Sequence, residues 1–286
     1  MNNLLGTVQI LTVARKIDTG YVLSDGANEY LLHITEATGE LEEGQNVDVF
    51  LYQDKKGQIV ATMTIPDIRF EEYGWAEVVE VVRNLGVFVN IGIQKEILVS
   101  KDDLPLLEDV WPDVEDELFV KLGTDKRGRL LAIPATESVF EETWEHAPES
   151  VLNTPMSGRV YRANKEGTTI ITEEGYRGFI HHTERKREPR LGEWVKGRVI
   201  DVKSDGTLNL SLRPLKQEGM LEDADVILAY IEEEGGVIPF SDKTDPEDIL
   251  GTFNISKAAF KRALGKLMKE KKIEQRDGKT YLKTTE

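Results

Sequence analysis

The chain has 286 residues, with 36 Lys+Arg against 52 Asp+Glu, a formal net charge of −16 and no cysteine. Zero cysteines exclude a disulfide framework, thiolate metal sites and cysteine nucleophiles. A 31% charged and 40% hydrophobic composition fits a folded chain with much surface, and the length allows two large domains or several small ones.

The opening Met1–Gly6 has no basic region followed by an apolar core, so no secretory signal is expected. No apolar stretch approaches the roughly 20 residues that a membrane span needs. A soluble, cytoplasmic protein without membrane contact is the expectation.

Three segments then repeat one plan of five short strands. The first has Gly6-Thr7-Val8, Gly20-Tyr21-Val22, Leu31-Leu32-His33, Val47-Asp48-Val49 and Ile59-Val60-Ala61. The second has Glu77-Val78-Val79, Gly86-Val87-Phe88-Val89, Ile97-Leu98-Val99-Ser100, Leu118-Phe119-Val120 and Leu130-Leu131-Ala132. The third, and clearest, has Gly158-Arg159-Val160, a strand led by Gly167, Gly178-Phe179-Ile180-His181, Trp194 to Val202 and Leu208-Asn209-Leu210-Ser211-Leu212. Apolar and polar residues alternate in each run, with Gly and Asp between runs, which is the strand signature. Five such strands in roughly 65 residues fit a small Greek-key barrel that closes its own edges.

The tail changes period. Leu221 to Glu234 reads as a helix, Asp245-Pro246 starts a second with Asp245 as cap, and Asn254 to Glu270 is a third capped by Ser256. Phe260, Ala263, Leu264 and Leu267 share one face of the third helix, and Lys261, Arg262, Lys266 and Lys269 lie opposite. Asp277-Gly278 between two alternating runs predicts a hairpin. Three helices and a basic hairpin make a winged helix-turn-helix.

The fold class expected is therefore mainly β with a C-terminal α+β domain: three tandem five-stranded OB-fold barrels and a winged helix. Segments 1–64, 66–140 and 150–216 resemble ribosomal S1-type RNA-binding domains, most specifically in Gly178-Phe179-Ile180-His181 and Leu208 to Leu212. With the tail, 218–286, the whole chain is similar to the conserved virulence factor B family. That resemblance implies a cytoplasmic bacterial RNA-binding regulator, with a role in virulence.

Charge is unevenly spread. Residues 66–142 carry −10 and residues 143–217 carry +3, while residues 256–283 carry a local +7. Grip on a single strand needs ring faces for unpaired bases and cations along the backbone. By the S1 resemblance, the second-strand stacking positions are Thr19 and Val22, Leu85 and Phe88, and Glu166 and Thr169; the third-strand position holds His33, Ser100 and His181. No copy keeps the full set. The third barrel compensates with Tyr161 and Tyr176 and the cations Arg159, Arg162, Lys165, Arg177, Lys196, Arg198, Lys203 and Arg213, which makes it the expected RNA platform. On the winged helix the expected face is Lys257, Lys261, Arg262, Lys266, Lys269, Lys272, Arg276, Lys279 and Lys283.

Each choice has a plainer counterpart. Phe88 fits a barrel core as well as a platform, His33 and His181 fit backbone caps, and Trp75 and Trp194 are read as packing residues. No phosphate-cradling Gly-rich motif, Gly-x-Ser-x-Gly or His-Glu-x-x-His occurs, so no catalytic residue, metal or cofactor is assigned and a non-enzyme is expected. The expected ligand is single-stranded RNA, held by several weak contacts. Duplex DNA, or a protein surface on the ribosome or transcription machinery, is the alternative partner.

Overall fold

The structure, a computed structural model, describes residues 4–214 and 216–283, and among these the side chains of all but 216–222. Residues 1–3, 215 and 284–286, which the expected domain bounds include, lie outside the described residues. So does the side chain of Leu221, the expected start of the first tail helix. Residues up to Leu212 make one unit and those from Arg213 a second.

The first barrel is built from β1 (Val8–Ile17), β2 (Gly20–Ser24), β3 (Glu29–His33), β4 (Asn46–Gln53) and β5 (Ile59–Thr62). The second uses β6 (Gly74–Val82), β7 (Gly86–Asn90), β8 (Ile97–Ser100), β9 (Glu117–Thr124) and β10 (Leu130–Pro134). A short helix, α1 (Glu137–Glu141), leads to the third: β11 (Pro155–Ala163), β12 (Gly167–Thr172), β13 (Arg177–His181), β14 (Trp194–Val202) and β15 (Leu208–Ser211). All three close in the same order, first-second-third-fifth-fourth, with the third and fifth strands parallel. Closure leaves no free sheet edge, which is how so small a β domain avoids edge-to-edge pairing.

The repeat extends to irregularities. Each first strand carries a bulge at the equivalent place, between Val13 and Arg15, Val78 and Glu80, and Val160 and Arg162. A bulge adds local twist, so one long strand can pair with both neighbours around the barrel. Each second strand opens on a glycine: a Cβ on Gly20 would lie 2.1 Å from the Leu32 carbonyl oxygen, and one on Gly86 2.0 Å from that of Val99. Both have φ in the range that favours glycine, +149° and +141°.

Alternation buries one face of most strands, while β2 and β12 are buried on both. Leu11, Tyr21, Leu23, Leu32, Val49 and Leu51 fill the first barrel, and Val160, Ile170, Ile180, Val199, Leu208 and Leu210 the third. Phe50 and Tyr52 of the first barrel instead join the core of the second, with Val78, Val120 and Leu122. Each such side chain contributes about 1.5–3 kcal/mol on burial, so the first two barrels are fused by packing rather than strung on a linker.

The second unit holds α2 (Lys216–Glu233), β16 (Val237–Ile238), α3 (Pro246–Phe253), α4 (Lys257–Lys269), β17 (Ile273–Arg276) and β18 (Lys279–Leu282). The Asp245 carboxylate accepts from the Glu247 amide at 2.9 Å and Pro246 occupies the first helical position. Asn254, at φ +52°, ends α3 in a left-handed cap, so α4 starts at Lys257 rather than Asn254; Ser256 caps it by accepting from the Ala259 amide at 3.2 Å. Phe260, Ala263, Leu264 and Leu267 are buried on Ile227, Ile231, Ile249 and Phe253. Asp277 and Gly278 both have positive φ, the turn that two-residue hairpins favour. The sheet order is β16-β18-β17. The two-residue β16 was not anticipated, because so short a run shows no alternation.

Candidate nucleic-acid interface

The third barrel offers a row of rings. Register pairs Gly167 with His181 and Thr169 with Phe179. Residues two apart on a strand share a face, so Phe179 and His181 stand side by side, their ring centres 6.4 Å apart, and His182 follows at 4.2 Å from His181. Gly167 is what lets Phe179 lie flat: a Cβ there would sit 2.4 Å from the Phe179 ring. The His182 amide donates to the Glu166 carbonyl at 3.2 Å, which brings the turn carrying Lys165 to the same end. Lys165, His181 and His182 are exposed.

The histidine does two jobs at once. Nδ1 of His181 accepts from the Thr183 amide at 3.3 Å and lies 2.8 Å from the Thr183 hydroxyl. An amide can only donate, so in the neutral ring the proton sits on Nε2, and that N–H points away from the cap. His33 repeats the geometry with Thr35, and Ser100 caps the equivalent turn through the Asp102 amide. The capping role and an exposed ring are compatible.

In the second barrel Phe88 lies outside the core cluster, half-buried opposite Leu98, with Leu85 exposed on the same strand end. Of the two readings of Phe88, the outer face is the observed one. Thr169 is buried, and Tyr176 is half-buried against the core of the third barrel.

The cationic platform expected on the third barrel is broken up. Arg159 pairs with Glu117 of the second barrel. Arg177 and Arg162 pair with Glu137 of α1, at 2.7 and 3.3 Å. Arg190 bonds Asp116 at 2.9 Å. Tyr161 is buried and stacks on Phe140 with ring centres 4.0 Å apart, so its face is unavailable to a base. These residues fasten the third barrel to the second. The reason is the charge difference between the segments: acids of the −10 segment are the counter-ions of the +3 one. Burial raises the Glu137 carboxyl, but Arg177 and Arg162 outweigh it and hold the group below the usual range. Burial, with Glu137 adding to it, pushes the Tyr161 phenol well up.

Lys165, Lys196 and Lys203 remain exposed with no ion pair among the described residues. Lys196 projects from β14 beside the half-buried Arg198, Lys203 lies in the turn before β15, and Arg213 is exposed beyond β15. The charges intended for one platform thus fall into a junction set, a ring-row set and a scattered set.

On the winged helix, Lys266 and Lys272 share Glu270 at 3.6 and 3.1 Å, and Lys283 approaches Glu274 at 3.9 Å. Lys257 reaches the Lys243 carbonyl at 3.4 Å, and Arg276 lies over the Tyr281 ring at 4.4 Å. Lys261, Arg262, Lys269 and Lys279 are exposed and make no ion pair among the described residues. Three of these four project from α4, opposite its apolar face.

Four functional candidates escaped the sequence reading: Phe179, His182, Trp75 and Trp194. Phe179 was recoverable, since it stands two residues before His181 on an alternating strand. The tryptophans face outward by the same alternation, but that they line one cleft depends on how two barrels meet.

Family models match each of the three barrels and the winged helix. An S1 domain covers residues 5–64, the first S1-like domain of CvfB residues 73–133, the second domain of the virulence regulatory factor CvfB residues 140–214, and a CvfB-like winged helix residues 225–282. A conserved virulence factor B from Staphylococcus epidermidis is 36% identical over 284 residues, covering 98% of this chain and 95% of the relative. The chain belongs to the conserved virulence factor B family. An uncharacterised protein of Bacillus subtilis, YitL, is 48% identical over 273 residues, 96% of this chain and 92% of that one. Among solved structures, a multidomain protein with nucleic acid binding domains from Streptococcus pneumoniae matches with a TM-score of 0.68 at 37% identity, covering 99% and 100% of the two chains. The modules are thus S1-like and winged-helix domains of nucleic-acid-binding type. No helix among the described residues is long and apolar enough to cross a membrane.

Proposed function

We propose that this protein is a cytoplasmic, non-enzymatic regulator that binds single-stranded RNA and controls gene expression after transcription, virulence factors included. The observation that carries the reading is the row Phe179, His181 and His182 on the open face of the third barrel, with Lys165 at its end. Rings in series, half-buried at Phe179 and exposed at His181 and His182, suit unpaired bases, each contributing about 1–3 kcal/mol. Phe88 on the second barrel and the cations of α4 add separate weak contacts, and linked weak sites gain affinity through effective concentration. A winged helix also suits a DNA groove, and the exposed Lys261, Arg262 and Lys269 favour that as the second reading.

Fluorescence anisotropy with a labelled unstructured RNA tests it, with duplex DNA of equal length as competitor. F179A with H181A should weaken RNA binding roughly tenfold or more, as the loss of one to two stacked bases predicts. Unchanged RNA affinity, or stronger competition by duplex DNA than by RNA, would sink the reading.

A further inference from the structure

Where the second and third barrels meet there is an open cleft of about 380 Å³. Trp75 and Phe119 come from the second barrel, Phe140 from α1, and Arg159, Glu173 and Trp194 from the third. Trp75 and Trp194 keep 40% and 42% of their surface exposed, although the junction of the first two barrels buries Phe50 and Tyr52. The Arg159 guanidinium lies 5.6 Å from the Trp75 ring centre and 5.0 Å from that of Trp194. It is held there by Glu117 and by the Gly192 carbonyl at 3.0 Å.

The chemistry of the walls narrows the occupant. Partly exposed indoles in a concave site want a flat, polarisable partner. A cationic side chain is disfavoured, because Arg159 already holds a positive charge over both indoles and would repel a second. A free anion would meet Glu117 and Glu173. That leaves a neutral planar ring with hydrogen-bond donors on its edge. Glu173 is exposed and has no ion pair among the described residues, so its two oxygens are open to adjacent donors. Guanine presents two neighbouring N–H groups on its Watson–Crick edge. Uracil presents one N–H between two carbonyls, which a carboxylate repels, and adenine one amino group beside an acceptor nitrogen.

We propose that the cleft between the second and third barrels is a base-reading pocket for one unstacked guanine, stacked on the Trp75–Arg159–Trp194 wall and read by Glu173. The pocket rests on the single-strand reading given above, and it adds base preference to binding that stacking and phosphate contacts leave tolerant of sequence. Arg159 and Glu117 are positioning residues: their pair fixes the wall and joins the barrels.

Two measurements on the full chain separate the pocket from that reading. Guanosine monophosphate and uridine monophosphate are titrated against tryptophan fluorescence, so charge is equal and only the base differs. Guanosine monophosphate should half-saturate the quench at a concentration about tenfold lower, the lower range for a stacked and hydrogen-bonded base; E173Q should erase the difference, and W194F should shrink the quench. Equal titrations, an unaffected E173Q, or stronger quenching by arginine amide would overturn the pocket. In the second measurement, an oligouridine is compared with the same strand carrying one central guanosine. The guanosine should tighten binding in the parent chain but not in E173Q. Equal binding of both strands defeats the pocket and leaves RNA binding standing. Selective quenching by guanosine monophosphate without binding of either strand sustains the pocket and defeats the RNA reading.

Discussion

Replacing Glu137 by alanine tests whether the third barrel is bolted to the second or merely follows it. Glu137 accepts from Arg177 at 2.7 Å and Arg162 at 3.3 Å. The two bonds are unequal. Arg162 keeps 51% of its side chain exposed, and a pair like that contributes about 0–1 kcal/mol. Arg177 and Glu137 are 18% and 22% exposed, and a charge-assisted bond so placed contributes about 1.5–3 kcal/mol. Removing the carboxylate also leaves the Arg177 charge half-buried beside the Trp144 ring, without its counter-ion. The expected loss is about 2–3 kcal/mol. For the third barrel melting by itself, a domain of under 100 residues, that is a fall in Tm of roughly 10–20 °C. Differential scanning calorimetry should show it, with the third barrel melting ahead of the first two as a separate transition. R15A, which breaks the exposed Arg15–Glu29 pair, is the control and should leave the melt where it was. If E137A melts as one transition at the parent temperature, the acids of the second segment are not the counter-ions that hold the third barrel.

Other expectations follow from single contacts. G167A places a Cβ 2.4 Å from the Phe179 ring and 2.6 Å from the Ile180 carbonyl oxygen, so it should destabilise the third barrel by about 1–3 kcal/mol in urea melts, as overpacking does, and turn the Phe179 ring out of its row. S256A removes the cap of α4 and should cost the winged helix about 1 kcal/mol by urea melting followed through its helical circular dichroism. Acid should loosen the junction: Glu137 and Glu193 both lie below the ordinary glutamate range, since Arg177 and Arg162 outweigh burial at the first and Arg187 with Arg190 at the second. Carboxyls lowered in the folded state stabilise it above their unfolded value of about 4.3 and lose that contribution as pH falls through the folded one. The urea midpoint should therefore be flat from pH 7 to about 5 and drop below about 4.5.

The architecture was legible because it rests on local patterns. Alternation marked the strands, Asp245-Pro246 and Ser256 marked two helix starts, and Asp277-Gly278 marked the wing. The site was legible only where it is also local. His181 and the apolar face of α4 follow from spacing within one element, and so does Phe179 once its strand is known. What composition could not reveal is the destination of charge. Arg159, Arg162 and Arg177 look, in sequence, like a phosphate-binding set, and only the packing of two barrels shows that Glu117 and Glu137 meet them. Strand alternation sets Trp75 beside Glu77 and Trp194 beside Lys196 on outer faces, and only the same packing shows that the two rings line one cleft.

That redistribution changes what kind of binder the chain can be. Were the third barrel's arginines free, affinity would come chiefly from phosphate neutralisation and would fall steeply with salt, by roughly 0.7 log units per phosphate neutralised for each tenfold rise in salt. With Arg159, Arg162 and Arg177 tied to carboxylates, the exposed positive charge near the ring row reduces to Lys165 and, on the winged helix, chiefly Lys261, Arg262 and Lys269. A net charge of −16 adds long-range repulsion that is felt most at low salt, where screening reaches farthest. Both effects flatten the salt dependence, and both leave discrimination to rings and edges rather than to phosphates. An acidic chain that binds an anionic strand has to bind it by its bases, and half-buried Phe179 with exposed His181 and His182 are rings placed for that.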